Sequence, residues 1–409
     1  MSERPSRVTG KQGESERGPS GPAEGRERGV RPERSTLLVN HDTSPLAASV
    51  RPGGQVQAFH RRLPGYAPTP LRDLPELAER LGIGRLLVKD ESRRMGLPAF
   101  KILGASWATY RVLCDRLGDE PAWDTLDDLA TVVADRLGRL HLVAATDGNH
   151  GRAVARMARL LRLSATILVP DGTAGARIDG IASEGADVVV VPGTYDDAVA
   201  ESAALASGER DVVISDTSWP GYEDTPRRVI EGYSTIFAEV DAQLDRPPDL
   251  VMVPLGVGAL GASAAACLRA GLEPGEGPVL VGVEPDSAAC VAAAVSAGRV
   301  VEVPGPHRSI MAGLNCGLAS MLALPTVIAG FAALVSVDDD RCRAAIRSLA
   351  DAGLDVGETG AAALAGLTAL LDDHGAALPV GPDAAVLLIA TEGVTDPANF
   401  EAIVGRPPR

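Results

Sequence analysis

The sequence predicts an α/β protein with two open, twisted and mostly parallel sheets. Short β-rich segments alternate along the chain with longer segments rich in Ala and Leu, and this alternation is typical of parallel sheets covered by helices. Several β-rich segments are apolar throughout, as strands buried on both faces are. The predicted strands are too many for one regular sheet, so we expect two α/β domains with a cleft between them.

These patterns predict eight strands. They cover residues 85–90, 141–146, 164–170, 186–192, 211–216, 250–255, 279–285 and 385–392. Helical periodicity is clear over 151–163 and 339–353.

Composition suggests where the folded part begins. Residues 1–45 are dominated by Arg, Glu, Gly, Pro and Ser and have little apolar surface to bury, so we interpret them as a disordered leader. We assign 46–112 and 240–409 to a larger domain and 113–239 to a smaller α/β domain.

The overall composition excludes several classes of protein. The chain has 409 residues and a formal net charge of -15, which argues against nucleic acid as the main partner and favours a small-molecule ligand. It contains no apolar run long enough to cross a membrane. The five cysteines lack the spacing of a disulfide framework or zinc site, and the six histidines lack metal-ligand spacing. We therefore expect a cytoplasmic protein without a catalytic metal.

The segment ATDGNHGRAVA runs from a predicted strand into a helix. It places Thr146, Asp147, Gly148, Asn149 and His150 at the carboxyl end of the strand, where open α/β sheets bind ligands. An ordinary strand-to-helix turn is the alternative, because Asp and Asn are common turn residues. We predict that all but Asn149 contact the substrate.

A second loop, PLGVGALGASAAA, carries glycines at 256, 258 and 261 between a strand and a helix of small residues. The helix N-terminus is suited to a phosphate group. The same G-x-G-x-x-G spacing, with Glu284 at the end of the following strand, also fits a dinucleotide-binding unit. The motif alone does not decide between these ligands.

Lys101 follows an apolar Ala-Phe pair, and Thr391, Glu392 and Gly393 follow the last predicted strand. Most lysines lie in solvent, and the polar strand end could be a helix cap. A desolvated lysine, however, has a lowered pKa and can attack a carbonyl group. One cofactor uses an amine, a phosphate site, a group beside a ring oxygen and a partner for a pyridine nitrogen, and that cofactor is pyridoxal phosphate.

Seven segments in order along the chain resemble fold-type II pyridoxal-phosphate enzymes, the tryptophan synthase β family, and within it the diaminopropionate ammonia-lyase family. They are KDESRRMGLPAFKILGAS, ATDGNHGRAVA, SDTSWPGYEDTPRRVIEGY, GVGALGA, SIMAGLNCG, ETGAAAL and ATEGVTDP. The resemblance covers roughly residues 45–405. It implies two open twisted α/β domains with the cofactor in the cleft between them, and a homodimer.

The resemblance also implies roles for individual residues. Lys101 would form the Schiff base with the cofactor, Asn149 would bind its phenolic oxygen, and Thr391 would face the pyridine nitrogen. The phosphate would bind to backbone N–H groups of Gly256, Val257, Gly258, Ala259 and Leu260. A neutral hydroxyl beside the ring nitrogen favours rapid loss of a β-substituent.

Two aspartates are implied as acid–base groups. Elimination of an amine removes the Cα proton and delivers a proton to the departing nitrogen, and a carboxyl group can serve both purposes. The resemblance assigns Asp216 to the L-isomer and Asp147 to the D-isomer of 2,3-diaminopropionate, with pyruvate and ammonia as products. An Asx turn is the alternative for Asp216.

Three other functions are considered. A threonine or serine dehydratase, or a β-replacement enzyme, would use the same fold, but Asp147 and the GYEDTP segment argue against it. A dinucleotide-dependent oxidoreductase would leave Lys101 without a role. A cofactor-binding protein without turnover would not require the two aspartates.

Cys290 and Cys316 are expected near the entrance of the cleft. They could pair, but a reducing compartment favours free thiols.

Overall fold

Two sheets organise the part of the chain that the computed structural model describes, namely residues 35–146, 148–205, 208–273, 275–375, 377–378 and 380–409. The strands in these ranges are β1 (Thr36–Val39), β2 (Leu71–Asp73), β3 (Arg85–Asp90), β4 (His141–Ala145), β5 (Ser164–Pro170), β6 (Asp187–Val191), β7 (Asp211–Val213), β8 (Leu250–Pro254), β9 (Val279–Pro285), β10 (Ala333–Val337) and β11 (Ala385–Ala390).

Helices connect the strands. In the same ranges they are α1 (Gln55–His60), α2 (Pro75–Leu81), α3 (Ile102–Leu117), α4 (Leu126–Leu137), α5 (Asn149–Leu160), α6 (Gly175–Ala182), α7 (Tyr195–Leu205), α8 (Asp224–Gln243), α9 (Ala259–Leu268), α10 (Cys290–Ala297), α11 (Leu324–Gly330), α12 (Asp339–Asp351), α13 (Glu358–His374) and α14 (Pro397–Val404).

The larger sheet has the strand order β1-β10-β9-β8-β11-β3-β2. Its inner pairs are parallel, and the edge strands β1 and β2 are antiparallel to their neighbours. The smaller sheet, β6-β5-β4-β7, is parallel throughout. This confirms the predicted α/β class with mostly parallel sheets.

The pairing register brings the ends of distant strands together. β11 pairs with β3 over its whole length, so Ala390 lies opposite Asp90. β8 pairs with β11 on its other side. Because these strands are parallel, the segments that follow them leave from the same edge of the sheet, where parallel sheets bind ligands.

All eight predicted strands are present, most of them shorter than expected at their ends; the strand predicted over 211–216, for example, ends at Val213. The helix predicted over 151–163 is α5, which begins two residues earlier, at Asn149. The helix predicted over 339–353 is α12, which ends at Asp351.

Three strands were not predicted: β1, β2 and β10. β1 pairs with β10 and lies inside the predicted leader, so the prediction of disorder was wrong for Thr36–Val39. The leader residues 1–34 lie outside the described residues. The four strands of the smaller sheet fall within 113–239, and the proposed division into two domains remains a prediction.

Apolar clusters cover both faces of the larger sheet. One cluster joins α3, α5, α8 and α9 to its first face and extends to the smaller sheet. The second packs α12 and α13 on the other face. The strands β8 and β11 between these layers are buried at every residue, so the loops that follow them are held in place by the core.

Candidate active site

A cleft opens at the carboxyl ends of strands from both sheets. Among its lining residues are nine that the sequence predicts: Lys101, Asn149, Asp216, Gly256, Val257, Gly258, Ala259, Leu260 and Thr391. The cleft thus brings together residues as distant in the chain as Lys101 and Thr391.

Lys101 and Asp216 form an ion pair in this cleft. Lys101 immediately precedes α3, and Asp216 follows β7. The lysine Nζ donates to Asp216 Oδ2 at 2.7 Å, and the two side chains are 21% and 6% exposed. Lys101 Nζ also lies 5.6 Å and 5.9 Å from the ring centroids of Phe100 and Tyr233. An amine in these surroundings is only partly hydrated, as a nucleophilic lysine must be.

The second oxygen of Asp216 is also engaged. The hydroxyl of Tyr195, the first residue of α7, donates to Asp216 Oδ1 at 2.9 Å. Burial would by itself raise the pKa of Asp216, but the charge of Lys101 and the hydrogen bonds from Lys101 and Tyr195 outweigh it and hold the pKa well below its usual range. While Lys101 is protonated, Asp216 is therefore a carboxylate.

His150 lies next to Asp216. It is buried behind Asp216 and is not among the residues that line the cleft. Its Nε2 donates to the Ile214 carbonyl at 2.7 Å, and its Nδ1 lies 3.9 Å from Asp216 Oδ2. Burial lowers the pKa of this imidazole. The ring packs behind Asp216, and its Nδ1 makes no hydrogen bond within the described part of the chain.

The loop after β4 presents Asn149 to the cleft. Thr146 is buried, and its Oγ1 accepts a hydrogen bond from Gly148 N at 2.9 Å, which tightens the turn before α5. Neither Thr146 nor Gly148 is among the lining residues. Asp147 lies outside the described residues. The predicted substrate contacts of this loop therefore remain predictions.

The glycine-rich loop joins β8 to α9 and lines the cleft from Gly256 to Leu260. Gly258 has a φ of 97°, which side chains rarely adopt, and this turn aims the start of α9 at the cleft. The first N–H groups of a helix have no acceptor within the helix. The loop is therefore suited to a phosphate group.

Thr391 follows β11 and lines the cleft. Its hydroxyl donates to the Thr359 carbonyl at 3.2 Å and is buried. It carries no charge, so it cannot hold a ring nitrogen in the protonated state as a carboxylate would. This is the environment that the sequence predicts for the pyridine nitrogen.

Sequence reasoning missed two residues of this region, Tyr195 beside Asp216 and Arg177 beside Glu392. Tyr195 follows the end of β6, and its position after a parallel strand was the available signal. Arg177 is buried in α6, with Nη2 3.7 Å from Glu392 Oε1. No pattern in the sequence distinguishes it from other arginines.

Together the lining residues fit pyridoxal phosphate. One cleft contains a partly desolvated amine, a glycine loop at a helix N-terminus, a side-chain amide and a neutral hydroxyl. Lys101 would hold the cofactor's carbonyl carbon, the 256–260 loop its phosphate, Asn149 its phenolic oxygen and Thr391 its ring nitrogen.

The described residues contain no cluster of three or more His, Cys, Asp or Glu side chains that could hold a metal ion. Among the helices in the same ranges, none is long and apolar enough to cross a membrane. All five cysteines are described, and none forms a disulfide bond; Cys316 lines the cleft and Cys290 is buried nearby, with Sγ 3.6 Å from the Gly256 carbonyl.

Comparison with known proteins agrees with this site. Residues 62–392 match the family described as pyridoxal-phosphate dependent enzyme. The chain is 35% identical to diaminopropionate ammonia-lyase of Salmonella typhimurium strain LT2 over 370 residues, covering 86% of this chain and 91% of that protein. It is 33% identical to diaminopropionate ammonia-lyase of Escherichia coli strain K12, covering 90% and 94%.

Solved structures give the same result. The holo diaminopropionate ammonia-lyase of Escherichia coli matches with a TM-score of 0.84 at 30% identity, covering 92% of this chain and 97% of that chain. Its complex with an aminoacrylate-PLP azomethine reaction intermediate matches with a TM-score of 0.82, covering 91% and 97%. The chain therefore belongs to the pyridoxal-phosphate dependent enzyme family and, within it, to the diaminopropionate ammonia-lyases.

Proposed function

We propose that this protein catalyses the α,β-elimination of ammonia from 2,3-diaminopropionate, which makes it a pyridoxal-phosphate-dependent carbon–nitrogen lyase. The observation that carries the proposal is the Lys101–Asp216 ion pair facing the glycine loop in one cleft. The substrate is assigned from the relatives, whose whole length this chain nearly covers. The overall reaction converts diaminopropionate and water to pyruvate and two molecules of ammonia.

The bound cofactor supplies an electron sink that makes the Cα proton of the amino acid acidic. Lys101 would hold the cofactor, and its amine lies 2.7 Å from Asp216 Oδ2 in this structure. A proton can pass directly between these two groups. Thr391 would leave the ring nitrogen without a charged partner, which would favour departure of the β-amine.

Asp216 accepts the Cα proton of the L-isomer in this proposal. The C–H bond breaks, its electrons form the Cα–Cβ double bond, and the β-nitrogen leaves with the electron pair of the C–N bond after receiving a proton. Asp147 has the same role for the D-isomer, as the family resemblance implies. The released 2-aminoacrylate reacts with water to give pyruvate and the second ammonia.

Substitution of the three proposed groups tests the assignment. Lys101→Ala should remove turnover and the visible absorbance of the lysine-bound cofactor. Asp216→Asn should reduce elimination of L-diaminopropionate by about 100-fold or more, because a positioned proton acceptor contributes this much, and Asp147→Asn should do so for the D-isomer. Pyruvate release is measured with each enantiomer.

Asp211→Asn is a matched control, because Asp211 begins the strand β7 that Asp216 follows and lies at its opposite end. It should keep wild-type rates with both enantiomers. Retention of turnover and absorbance in Lys101→Ala would contradict the assignment of the lysine, and equal losses with both enantiomers in Asp216→Asn would contradict the division of roles.

The alternative substrates are serine and threonine. Threonine dehydratase of Pasteurella multocida is 27% identical over 75% of this chain, which covers 53% of that protein, so the likeness is weaker and less extensive. A panel of diaminopropionate, serine and threonine decides between these substrates: pyruvate from diaminopropionate at a far higher kcat/KM supports the lyase, and a higher kcat/KM with serine or threonine would overturn it.

We also propose that the protein is a cytoplasmic homodimer with a larger domain formed by 46–112 and 240–409 and a smaller domain formed by 113–239. The family resemblance and the reducing environment expected from the cysteines support this proposal. Light scattering on the holoenzyme would give twice the chain mass of 42.2 kDa, and a monomer mass would contradict it.

A further inference from the structure

Glu392 is a buried carboxylate at the cleft whose role the proposed reaction leaves open. It follows Thr391 at the end of β11 and is 1% exposed. Its Oε2 accepts a hydrogen bond from Asn149 Nδ2, and its Oε1 accepts one from Thr359 N at 3.1 Å. Glu392 thus joins the larger sheet to the first turn of α5, which follows the smaller sheet.

Arg177 is the cation beside this carboxylate and also lies 4.0 Å from Glu358 Oε2. Its Nη2 lies 3.7 Å from Glu392 Oε1, and its side chain is 6% exposed. The stem of Arg177 lies over Gly148, where a built Cβ atom would be 3.3 Å from Arg177 Cδ. A buried cation therefore stands beside Glu392 and packs against the loop that carries Asn149. An ionised carboxylate accepts hydrogen bonds and donates none.

This arrangement determines how the Asn149 amide is oriented. If the amide were turned over, its carbonyl oxygen would face a carboxylate oxygen, and two acceptors would meet without a hydrogen between them. With the nitrogen held toward Glu392, one hydrogen of Nδ2 is used and the second remains for another acceptor. Asn149 also lines the cleft.

We propose that Glu392 is a positioning residue that makes Asn149 a hydrogen-bond donor toward the phenolic oxygen of the cofactor. The proposal rests on the role of Asn149 in the proposed function. Glu392 acts through Asn149, so removing the carboxylate affects cofactor binding only while Asn149 is present.

A double-mutant cycle on cofactor affinity tests this dependence. Asn149→Ala, Glu392→Gln and the double variant are prepared without cofactor, and the dissociation constant of pyridoxal phosphate is measured by titration. Each single substitution should weaken binding by about 10-fold, the loss expected from one hydrogen bond to a charged partner. The double variant should bind no more weakly than Asn149→Ala. The amide introduced by Glu392→Gln can donate to the Asn149 oxygen, so this variant keeps the packing but loses the enforced orientation.

Glu358→Gln provides the matched control. Glu358 is a neighbouring buried glutamate, 4% exposed, whose Oε1 accepts from Asn399 at 2.5 Å. Its substitution should change cofactor affinity by less than about 2-fold, since it has no contact with Asn149. Thermal melting of each cofactor-free variant reports folding. If Glu392→Gln does not fold, Glu392→Asp replaces it in the same cycle, because the shorter carboxylate draws back from Asn149.

The outcomes separate this inference from the proposed function. If Asn149→Ala binds the cofactor as tightly as wild type, the role of Asn149 is wrong and the inference falls with it. If Asn149→Ala weakens binding but Glu392→Gln does not, only the role of Glu392 is wrong. If the two losses multiply to about 100-fold, Glu392 acts independently of Asn149 and the inference is overturned.

Discussion

Asp216 has both carboxylate oxygens engaged, one by Lys101 and the other by Tyr195. Its low proton affinity depends mainly on the positive charge of Lys101, because burial acts in the opposite direction. When the Lys101 amine is uncharged, it no longer stabilises the Asp216 carboxylate. Burial still disfavours the charged form, so the pKa of Asp216 rises. The proton affinity of Asp216 therefore follows the charge state of Lys101.

The hydrogen bond from Tyr195 should lower the pKa of Asp216. Tyr195→Phe removes one hydrogen bond to the ionised form, so the pKa of Asp216 should rise and the acidic limb of the kcat/KM profile should move to higher pH. We expect kcat/KM for L-diaminopropionate to fall by about 10-fold at neutral pH. Initial rates of pyruvate formation across the pH range give both quantities.

Tyr222→Phe is the corresponding control. The Tyr222 hydroxyl donates to the Val213 carbonyl at 2.8 Å and accepts from Ser215 N at 3.1 Å, close to Asp216 in the chain. Its loss should lower stability without moving the acidic limb. An identical shift in both variants would show that the limb reports a general disturbance of the segment after β7.

At the residue scale, the loops after β4, β8 and β11 are predicted to meet because polar residues after parallel strands lie at one edge of a sheet. The roles of Lys101 and Asp216 come instead from the family resemblance. Asn149, the 256–260 loop and Thr391 follow this rule and line the cleft. His150 does not line the cleft, because α5 begins at Asn149 and the helical turn directs His150 behind Asp216. Arg177 could not be predicted, since its function depends on contacts made only in the folded chain.

At the scale of helices and strands, the crossing of α3 and α8 positions Lys101 relative to Asp216. α3 begins directly after Lys101, and α8 follows the loop that leaves Asp216. The helices meet at Gly232, where a built Cβ would lie 2.5 Å from the Leu103 carbonyl oxygen and 2.7 Å from Gly104 Cα. Only glycine allows this approach, so the sequence IEGYS on α8 sets the distance between the two segments.

Gly232→Ala should force the two helices apart. The added methyl group meets backbone atoms that cannot move alone, and we expect the free energy of unfolding to fall by about 2 to 3 kcal/mol. Activity should fall as well, because Lys101 is displaced from Asp216. Urea unfolding and initial rates measure the two effects.

Gly175→Ala is the control for this substitution. Gly175 is the first residue of α6, and nothing lies within 4 Å of a built Cβ. Its stability should change by less than about 1 kcal/mol. Equal stability of both variants would mean that the crossing can relax and does not fix the distance.

The elements that sequence reasoning missed share a physical cause. β1 and β2 are edge strands of four and three residues, and only one side of each pairs with the sheet. Such strands need little apolar periodicity, so the signal that identifies buried strands is absent. β10 is fully buried but only five residues long, and it follows α11 after two residues.

At the scale of the whole molecule, a buried network of charges joins the end of β3 to α8. Lys89 and Glu91 flank the end of β3, Arg94 follows, and Glu239 comes from α8; each side chain is at most 1% exposed. Glu239 accepts from Lys89 at 2.8 Å and from Arg94 at 2.7 Å, and Arg94 donates to Glu91 at 2.6 Å. Two cations and two anions balance, as buried charges must.

His60 lies beside this network and connects three helices. From α1 its Nε2 donates to the Leu103 carbonyl in α3 at 2.9 Å, and its Nδ1 accepts from the Thr235 hydroxyl in α8 at 2.7 Å. This fixes a neutral ring. Burial lowers the pKa of His60 from 6.5 to about 3, the hydrogen bond to Leu103 opposes the shift, and the charge of Arg94 adds to it.

This histidine should make the folded protein less stable as the pH falls. Between pH 6.5 and about 3 the unfolded chain binds a proton at His60 that the folded protein does not, so stability is present above this window and is lost within it. From pH 7 to pH 5 the loss of stability attributable to His60 is about 2 kcal/mol.

His60→Gln removes the titration, so its destabilisation relative to wild type should be smaller at pH 5 than at pH 7 by about that amount. Urea unfolding of both proteins, with cofactor in excess, measures the difference at each pH and cancels the titration of groups common to both. An equal difference at the two pH values would show that His60 is protonated in the folded protein or titrates as it does in the unfolded chain.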